Sequence, residues 1–278
     1  MIWKKELTLL LVCLFSGRFE ASNADQMPVR DLFSNHALSG KFKRSAGSHT
    51  CSPVKGPDYP RDCSEIQNVC GHESLVSGEY EIQPEHFPSP FIVYCDFETE
   101  GEAWTVIQRR LDGSINFQRT WNDYKNGFGF LKTEFWLGNE KLSYLTAQSD
   151  YELRIDLRNQ HDQPYYAQYS TFRVGDESMK YRLILGADYS GDAANSLQHQ
   201  NLQFFSTFDA DHDKTSDETC ADENRHGGGW WFGACDSCNL NGAYGVMSDY
   251  NPGGIDWDNL PGGNIGLKRT EMKIRPVG

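Results

Sequence analysis

The longest stretch without regular periodicity constrains the fold most. Between Gly186 and Gly266, over about eighty residues, no helical or strand pattern is sustained. A loop region that long is uncommon in a compact domain, so ions, disulfides or both must hold it in place. It contains a run, Phe208 to Gly242, that combines alternating aspartates, cysteines, a glycine and tryptophan turn and an Asn-rich turn. We interpret this run as a site.

Composition indicates a globular, acidic protein. The 278 residues are 38% hydrophobic and 13% aromatic, enough to fill a core. The formal net charge of -13 repels phosphate backbones, and the basic clusters are too short to follow a polyanion, so no nucleic-acid partner is expected. The chain has no G-x-S-x-G, H-E-x-x-H, phosphate-loop or G-x-G-x-x-G pattern. We therefore predict that it is not an enzyme.

The N-terminal residues 1–24 are predicted to be a secretory signal peptide. Lys4 and Lys5 precede an apolar run from Leu7 to Phe15, and small residues follow at Ser22 to Ala24. The run is too short to span a bilayer. A secreted, extracellular protein is therefore expected.

Residues 25–60 are polar and lack a period of 2 or 3.6, which is typical of a disordered linker. The basic run that ends at Arg44 is a candidate proprotein-convertase site, and a solvated basic run is the alternative. The globular domain is predicted to occupy residues 61–278.

Short β-branched and aromatic runs predict antiparallel strands in this domain. Two of them, Pro90–Phe97 and Ala103–Gln108, flank a polar turn and predict a hairpin. Strict alternation in Tyr151–Arg158 predicts a half-buried strand. Near-helical spacing predicts one or two short helices within Phe130–Ala147. Further strands are predicted at Tyr165–Val174, Tyr181–Leu185 and Leu267–Ile274.

The acidic run is a candidate calcium loop. Asp209, Asp211 and Asp213 alternate and are followed by Asp217 and Glu218. In a turn, this spacing directs carboxylates and carbonyls to one point, as Ca2+ requires. The run is not an EF-hand, which needs Gly at its sixth position and Glu at its twelfth. A solvated acidic loop is the alternative, and the position of the run within the irregular segment favours calcium.

Cysteine usage favours disulfides. Eight cysteines are encoded and Cys13 lies in the signal peptide, so seven remain and at least one is free or paired outside the chain. Disulfides are the default in a secreted protein. The Cys235-x-x-Cys238 spacing could form half of a zinc site, but no second pair of ligands is evident.

Nine short motifs follow one another between residues 62 and 276. They are Tyr94–Asp96, Trp104–Arg110, Trp121–Gly129, Glu134–Gly138, Tyr151–Arg154, Phe205–Thr207, Gly229–Trp231, Asn239–Gly242 and Glu271–Pro276. Together they resemble the fibrinogen C-terminal domain family, which includes ficolins and tachylectins. The resemblance implies an α+β fold in which an antiparallel sheet and short helices carry a long irregular subregion that binds calcium and a ligand.

The resemblance also implies which residues hold the ion. Matching the Asp-x-Asp run places the carboxylate ligands of Ca2+ on Asp211 and Asp213. The carbonyl ligands fall on Thr215 and Asp217, just before Cys220.

The same resemblance implies two disulfides, Cys63–Cys95 and Cys220–Cys235. Each would stabilise the domain by about 3 to 4 kcal/mol if it acts through chain entropy. Cys51, in the linker, is then the candidate for an interchain bond and so for a disulfide-linked homo-oligomer. Cys70 and Cys238 are assigned to each other only because both would otherwise be left over.

The ligand pocket of acetyl-binding members lies beside a cis peptide that precedes the fourth Cys, and a His follows that Cys. Here the implied peptide is Ala234–Cys235, and the next residue is Asp236. A carboxylate accepts hydrogen bonds from hydroxyls or an amide N–H but cannot donate one as imidazole does. The departure shifts the expected preference away from sialic acids and other anionic ligands.

Aromatic side chains are expected to complete this pocket. The candidates are Tyr244, Tyr250 and Trp257. Core packing is the alternative for Trp230, Trp231 and Tyr244, and it is favoured for the two tryptophans.

The sequence therefore predicts a secreted, calcium-dependent pattern-recognition lectin of the kind used in innate immunity. Its expected partners are acetylated or other glycans, or glycoproteins. The alternative is a non-catalytic extracellular-matrix or receptor-binding protein ligand, as in the angiopoietins and tenascins.

Overall fold

The strands lie mainly in one antiparallel sheet, and a computed structural model describes residues 59–71, 75–216, 218–245, 254–261 and 266–277. The three α-helices in these ranges are α1 (Cys63–Cys70), α2 (Trp121–Asn126) and α3 (Asn139–Ala147). Short 3-10 helices span Thr99–Gly101, Glu177–Met179 and Leu197–Gln200. The strands are β1 (Gly78–Ile82), β2 (Phe91–Asp96), β3 (Trp104–Arg110), β4 (Phe128–Gly129), β5 (Phe135–Trp136), β6 (Tyr151–Asn159), β7 (Pro164–Tyr169), β8 (Phe172–Val174), β9 (Leu183–Leu185), β10 (Tyr189–Gly191), β11 (Cys238–Asn239), β12 (Asp256–Trp257) and β13 (Leu267–Pro276).

The order of the main sheet is β1-β2-β3-β13-β6-β7-β10, with β5 also on β3 and β4 on β5. The predicted hairpin is confirmed, since β2 and β3 pair antiparallel. The last strand, β13, lies in the middle of the sheet between β3 and β6. Two further pairs, β8 with β9 and β11 with β12, lie outside it. This mostly antiparallel architecture with few short helices is the predicted α+β fold.

Strand β6 shows how the sequence assigns the two faces of the sheet. Leu153, Ile155 and Leu157 are at most 1% exposed and pack into the core, whereas Arg154 and Arg158 alternate with them on the other face. The prediction of a half-buried strand is confirmed. The second face is therefore charged, as period-2 alternation requires.

Local signals explain the helices. Asp62 caps α1 by accepting a hydrogen bond from the Glu65 N–H, and Thr120 and Asp123 form a reciprocal capping box on α2. The region predicted to hold one or two helices contains one, α3, because Phe135 and Trp136 pair with β3 and β4 instead. No helix in the described ranges has the length and apolar character needed to cross a membrane.

The cysteines divide into bonded and free groups. Cys63 and Cys95 form the disulfide that the resemblance implies, joining α1 to β2. The predicted Cys70–Cys238 pair is wrong: Cys238 is a free thiol sealed in the core on β11, and Cys70, at the end of α1, has a different disulfide partner. The interchain role predicted for Cys51 concerns a residue outside the described ranges, as do the signal peptide and Arg44.

Candidate functional site

The first part of the candidate site is the acidic loop, residues 211–216. The carboxylate of Asp213 organises it: Oδ1 accepts from the Thr215 N–H (2.8 Å) and hydroxyl (2.7 Å), and Oδ2 accepts from the Cys220 N–H (2.7 Å). Asp211 Oδ1 accepts from the Asp213 N–H at 3.0 Å. The aspartates therefore fix a turn with its carboxylates at the surface, where Asp211 is exposed.

The donor set of this loop suits Ca2+ in kind. The atoms that Asp211, Asp213 and Thr215 offer are all oxygens, as a hard cation requires. A carboxylate has about four acceptor positions, and Asp213 uses three of them on the loop. The described ranges contain no cluster of three or more His, Cys, Asp or Glu side chains with metal-site geometry. An ion here would therefore also need backbone carbonyls, and Asp217 lies outside the described residues.

The second part is the cis segment, Ala234–Asp236, which is tied to the acidic loop. The Cys220–Cys235 disulfide joins the end of the loop to the middle of the segment, and the Lys214 N–H donates to the Gly233 carbonyl at 2.8 Å. The Ala234–Cys235 peptide is cis, at the position that the resemblance implies. The loop and the segment therefore form one covalently linked unit.

A histidine that the sequence did not single out lies beside Asp236. His226 Nδ1 is 3.2 Å from Asp236 Oδ2, and the Asp236 side chain is only 3% exposed. The two atoms are not aligned for a hydrogen bond, and each is a buried polar atom without one in the described part of the chain. An imidazole is thus present next to the cis segment, although it comes from a position ten residues earlier in the chain. No periodicity in this irregular stretch could have shown it.

Further carboxylates make this region strongly acidic. Asp256, on β12, accepts from the Asn239 N–H at 2.5 Å. Burial raises the pKa of Asp256 well above its usual range, and the charges of Asp236 and Asp258 raise it further. The same surroundings raise the pKa of the buried Cys238 thiol. The environment behind the cis segment therefore disfavours additional negative charge.

The Asn-rich turn fixes the backbone that carries His226. Asn239 Nδ2 donates to the carbonyls of His226 and Gly227, both at 2.9 Å, and Asn241 Nδ2 donates to the Gly229 carbonyl at 2.9 Å. Gly228 has a φ of +68°, and a Cβ there would lie 2.2 Å from the Asn241 carbonyl oxygen. Only glycine fits this close approach.

The structure describes two of the three aromatic residues predicted for the pocket wall. Trp257 is 2% exposed and its indole N–H donates to the Ala194 carbonyl at 2.7 Å, so its ring belongs to the core. The Tyr244 hydroxyl lies 2.9 Å from the Leu111 carbonyl oxygen and 3.0 Å from that of Lys268, which ties it to the main sheet. Tyr250 lies outside the described residues.

The neighbouring tryptophans follow the prediction of core packing. Trp230 and Trp231 are both fully buried, with their ring centroids 5.1 Å apart. The Trp231 indole N–H donates to the Tyr181 carbonyl at 2.8 Å. The cis segment is therefore polar, whereas the two tryptophans belong to the aromatic core.

Comparison with known proteins gives matches along most of the chain. The family model for the C-terminal globular domain of fibrinogen beta and gamma chains matches residues 59–277. Fibrinogen-like protein A of Apostichopus parvimensis is 47% identical over 280 residues, covering 99% of this chain and 97% of that protein. Techylectin-5A of Tachypleus tridentatus is 37% identical over 287 residues, covering 97% of this chain and 95% of that protein.

A solved structure shows the same fold. Lamprey fibrin D-dimer, complexed with the peptide ligand Gly-His-Arg-Pro-amide, matches with a TM-score of 0.72 and 37% identity. The match covers 84% of this chain and 79% of that chain.

Proposed function

The chain belongs to the fibrinogen C-terminal domain family, and on that premise we propose that it is a secreted, calcium-dependent lectin that recognises acetylated or other uncharged glycans in innate immunity. Fibrinogen-like domains are non-enzymatic binding proteins whose ligands are peptides, glycans or proteins, and such proteins are typically secreted. The proposal concerns which of these ligands this chain takes, and where.

The observation that carries the proposal is the link between the acidic loop and the cis segment. Ca2+ would be held by the carboxylates of Asp211 and Asp213 and by the carbonyls of Thr215 and Asp217. Bound there, it would neutralise the loop. Because the loop continues through Cys220 into the disulfide, ordering it also orders the segment that contacts the ligand.

The polar atoms at the cis segment favour an uncharged, hydroxyl-rich ligand. Asp236 Oδ2 and His226 Nδ1 are buried without hydrogen bonds, so a polar group that displaces the atoms covering them would find an unused acceptor beside a ring nitrogen. The surroundings that raise the pKa of Asp256 disfavour negative charge and therefore oppose a carboxylate-bearing sugar. A neutral acetamido sugar such as N-acetylglucosamine meets both conditions, and Techylectin-5A, a lectin by name, is a relative.

Titration calorimetry with N-acetylglucosamine tests the proposal. We expect heat of binding in calcium and an affinity that falls by about tenfold or more in EDTA, because the loop then loses its central charge. N-acetylneuraminic acid, which is anionic, should bind more weakly than N-acetylglucosamine. Absence of heat with N-acetylglucosamine in both conditions would contradict the sugar assignment.

Replacing Asp211 by alanine tests calcium binding independently of sugar binding. At calcium a hundredfold above its Kd, the wild-type melting temperature should exceed that in EDTA by roughly 5 to 10 °C, and the variant should lose this difference. Asp188→Ala, at an exposed aspartate far along the chain from the loop, is the control and should keep the full EDTA shift. An unchanged shift in Asp211→Ala would place the ion elsewhere.

A protein or peptide partner in the extracellular matrix or on a receptor is the second candidate. The fibrin relative was solved with a peptide ligand whose arginine is cationic, and the acidic surroundings of Asp236 and Asp256 would suit such a group. This candidate gains support if the calorimetry shows no sugar binding while a matrix pull-down recovers a partner that free sugars do not displace.

A further inference from the structure

The charged face of the main sheet ends in two arginines that lie directly opposite each other. Arg269 on β13 is the register partner of Arg158 on β6, and both side chains are exposed. The register shifts between Leu267 and Arg269, so Lys268 is an extra residue in a β-bulge at this point. Bulges often redirect side chains next to functional sites. We call Arg158 and Arg269 the arginine row.

Like charges directly opposite each other destabilise a sheet, and elsewhere on this face such pairs are compensated. Lys273, opposite Arg154, contacts Asp156 Oδ2 at 2.9 Å and Glu271 Oε1 at 2.8 Å. Arg154 in turn contacts Asp156 Oδ1 at 2.9 Å. Arg109 completes the set with Glu271 Oε2 at 2.5 Å. The acidic and basic side chains in the middle of this face of the sheet therefore neutralise each other.

The arginine row lacks this compensation. Within the described residues, neither Arg158 nor Arg269 has a carboxylate within ion-pair distance. Arg158 Nη1 donates to the backbone carbonyl of Asp162 at 3.1 Å, while the Asp162 carboxylate pairs with Lys268 at 2.7 Å. The Asp162 carboxylate, in the adjoining turn, is therefore already paired with Lys268. Two guanidinium groups remain unpaired on a chain whose net charge is -13.

The arginine row lines a groove of about 540 Å³, which we call the arginine groove. This volume is within the range of small-ligand sites. The lining also includes Asp156, Glu271, Pro164 and Tyr165. The Tyr165 hydroxyl is held by the Pro261 carbonyl oxygen at 2.7 Å, which fixes its ring at the edge of the groove. The groove thus combines a cationic end, hydroxyl acceptors and an aromatic ring.

We propose that the arginine groove binds an acidic saccharide. A carboxylate or sulfate ester of the sugar would bridge Arg158 and Arg269, because guanidinium groups match the geometry of oxoanions. Its hydroxyls would donate to Asp156 and Glu271, and its ring would lie against Tyr165. A nucleic acid or polyglutamate fits less well, since it carries closely spaced charges along its whole length, whereas the groove offers ionically unpaired arginines only at one end. This site is separate from the acidic loop and does not depend on calcium.

Calorimetry in EDTA tests the groove without the calcium-dependent site. The probes are a hyaluronan hexasaccharide, which carries carboxylates, a heparin-derived hexasaccharide, which carries sulfates as well as carboxylates, neutral chitin hexasaccharide and a polyglutamate peptide. We expect one or both acidic saccharides to bind: binding of the heparin fragment alone identifies sulfate as the recognised group, and binding of hyaluronan shows that a carboxylate suffices. The double variant R158Q/R269Q should bind at least about tenfold more weakly. R173Q, which removes the exposed arginine of β8, is the control and should bind as the wild type does.

A charge-reversal variant distinguishes the loss of the binding site from a loss of folding. Arg269→Glu replaces a like-charge pair with an opposite-charge pair, so its melting temperature should equal or exceed that of the wild type while acidic saccharide binding is lost. Three results would each overturn the proposal. They are failure of both acidic saccharides to bind the wild type, acidic saccharide binding that survives Arg269→Glu, and tighter binding of polyglutamate than of either saccharide.

Discussion

Replacing Lys273 by methionine is expected to lower the free energy of unfolding by about 3 to 5 kcal/mol, because the variant leaves the buried Asp96 carboxylate without its cation and removes one of two cations from Asp156 and from Glu271. The Lys273 side chain is 3% exposed, and its Nζ lies 2.7 Å from Asp96 Oδ2, 2.8 Å from Glu271 and 2.9 Å from Asp156. Methionine fills a similar volume, so the loss would be electrostatic. Urea unfolding with the disulfides intact measures it.

The destabilisation should depend on pH. Burial alone would raise the pKa of Asp96, but the charge and hydrogen bond of Lys273, with help from the Thr99 hydroxyl, lower it to about 2. In the wild type, this stabilisation is complete above the unfolded pKa of about 3.9 and is lost as the pH falls towards 2. In Lys273→Met the carboxylates repel one another instead and protonate more readily. The difference between the two proteins should therefore shrink from pH 7 to pH 4.

Lys268→Met is the matched control for this variant. Lys268 is on the same strand and pairs with Asp162, but that pair is exposed and should contribute at most about 1 kcal/mol. Equal losses from the two variants, or a loss from Lys273→Met that does not change with pH, would contradict the role assigned to the buried cluster.

Glu134→Ala should destabilise the domain by about 4 kcal/mol or more. Glu134 is fully buried, and its two carboxylate oxygens accept four backbone N–H groups from residues 111–115 at 2.7 to 3.1 Å. Its Oε1 also lies 3.7 Å from Arg110 Nε, an ion pair too long for a hydrogen bond. Alanine would leave the N–H groups unsatisfied and the buried arginine unpaired.

The effect of Glu134→Ala should reach the candidate site. Arg110 Nη1 donates to the carbonyls of Gly242 (2.7 Å) and Leu240 (3.2 Å), which close the Asn-rich turn beneath His226. Ligand binding at the cis segment should therefore weaken together with stability. Thermal melting and calorimetry on the same samples would show both.

Two further variants calibrate this result. Glu134→Gln keeps one carbonyl oxygen as an acceptor and should lose less than the alanine variant. Glu98→Ala, at an exposed glutamate, should change stability by no more than about 0.5 kcal/mol. A loss from Glu134→Ala as small as that from Glu98→Ala would show that the buried carboxylate is dispensable.

Local patterns in the sequence predicted the strands but not the register in which the strands pair. The alternation of Tyr151–Arg158 determines both the strand and its buried face, because a period of 2 leaves no other assignment. That Arg158 faces Arg269 depends on which strand pairs with β6 and on the bulge at Lys268. Neither is encoded locally, so the arginine row could not be predicted.

The candidate site shows a similar division. The family resemblance located the Cys220–Cys235 disulfide and the cis segment, because these are fixed by motif positions. It did not show that His226 would approach Asp236, since the intervening backbone is irregular and follows no period. The role of Glu134 was equally hidden, although a motif begins with it, because nothing in the local sequence shows that its carboxylate is buried against four N–H groups.

Cys238 links the folding of the site to its covalent chemistry. An unpaired thiol three positions from Cys235 could, as a thiolate, attack that disulfide and exchange partners. Its burial and raised pKa keep it protonated and out of reach while β11 is in place. If the region opened, the thiol and the disulfide would be exposed together. The Cys220–Cys235 disulfide is thus protected from exchange only while this region stays folded. A loss of conformational stability here would allow the disulfide to rearrange to a non-native pairing.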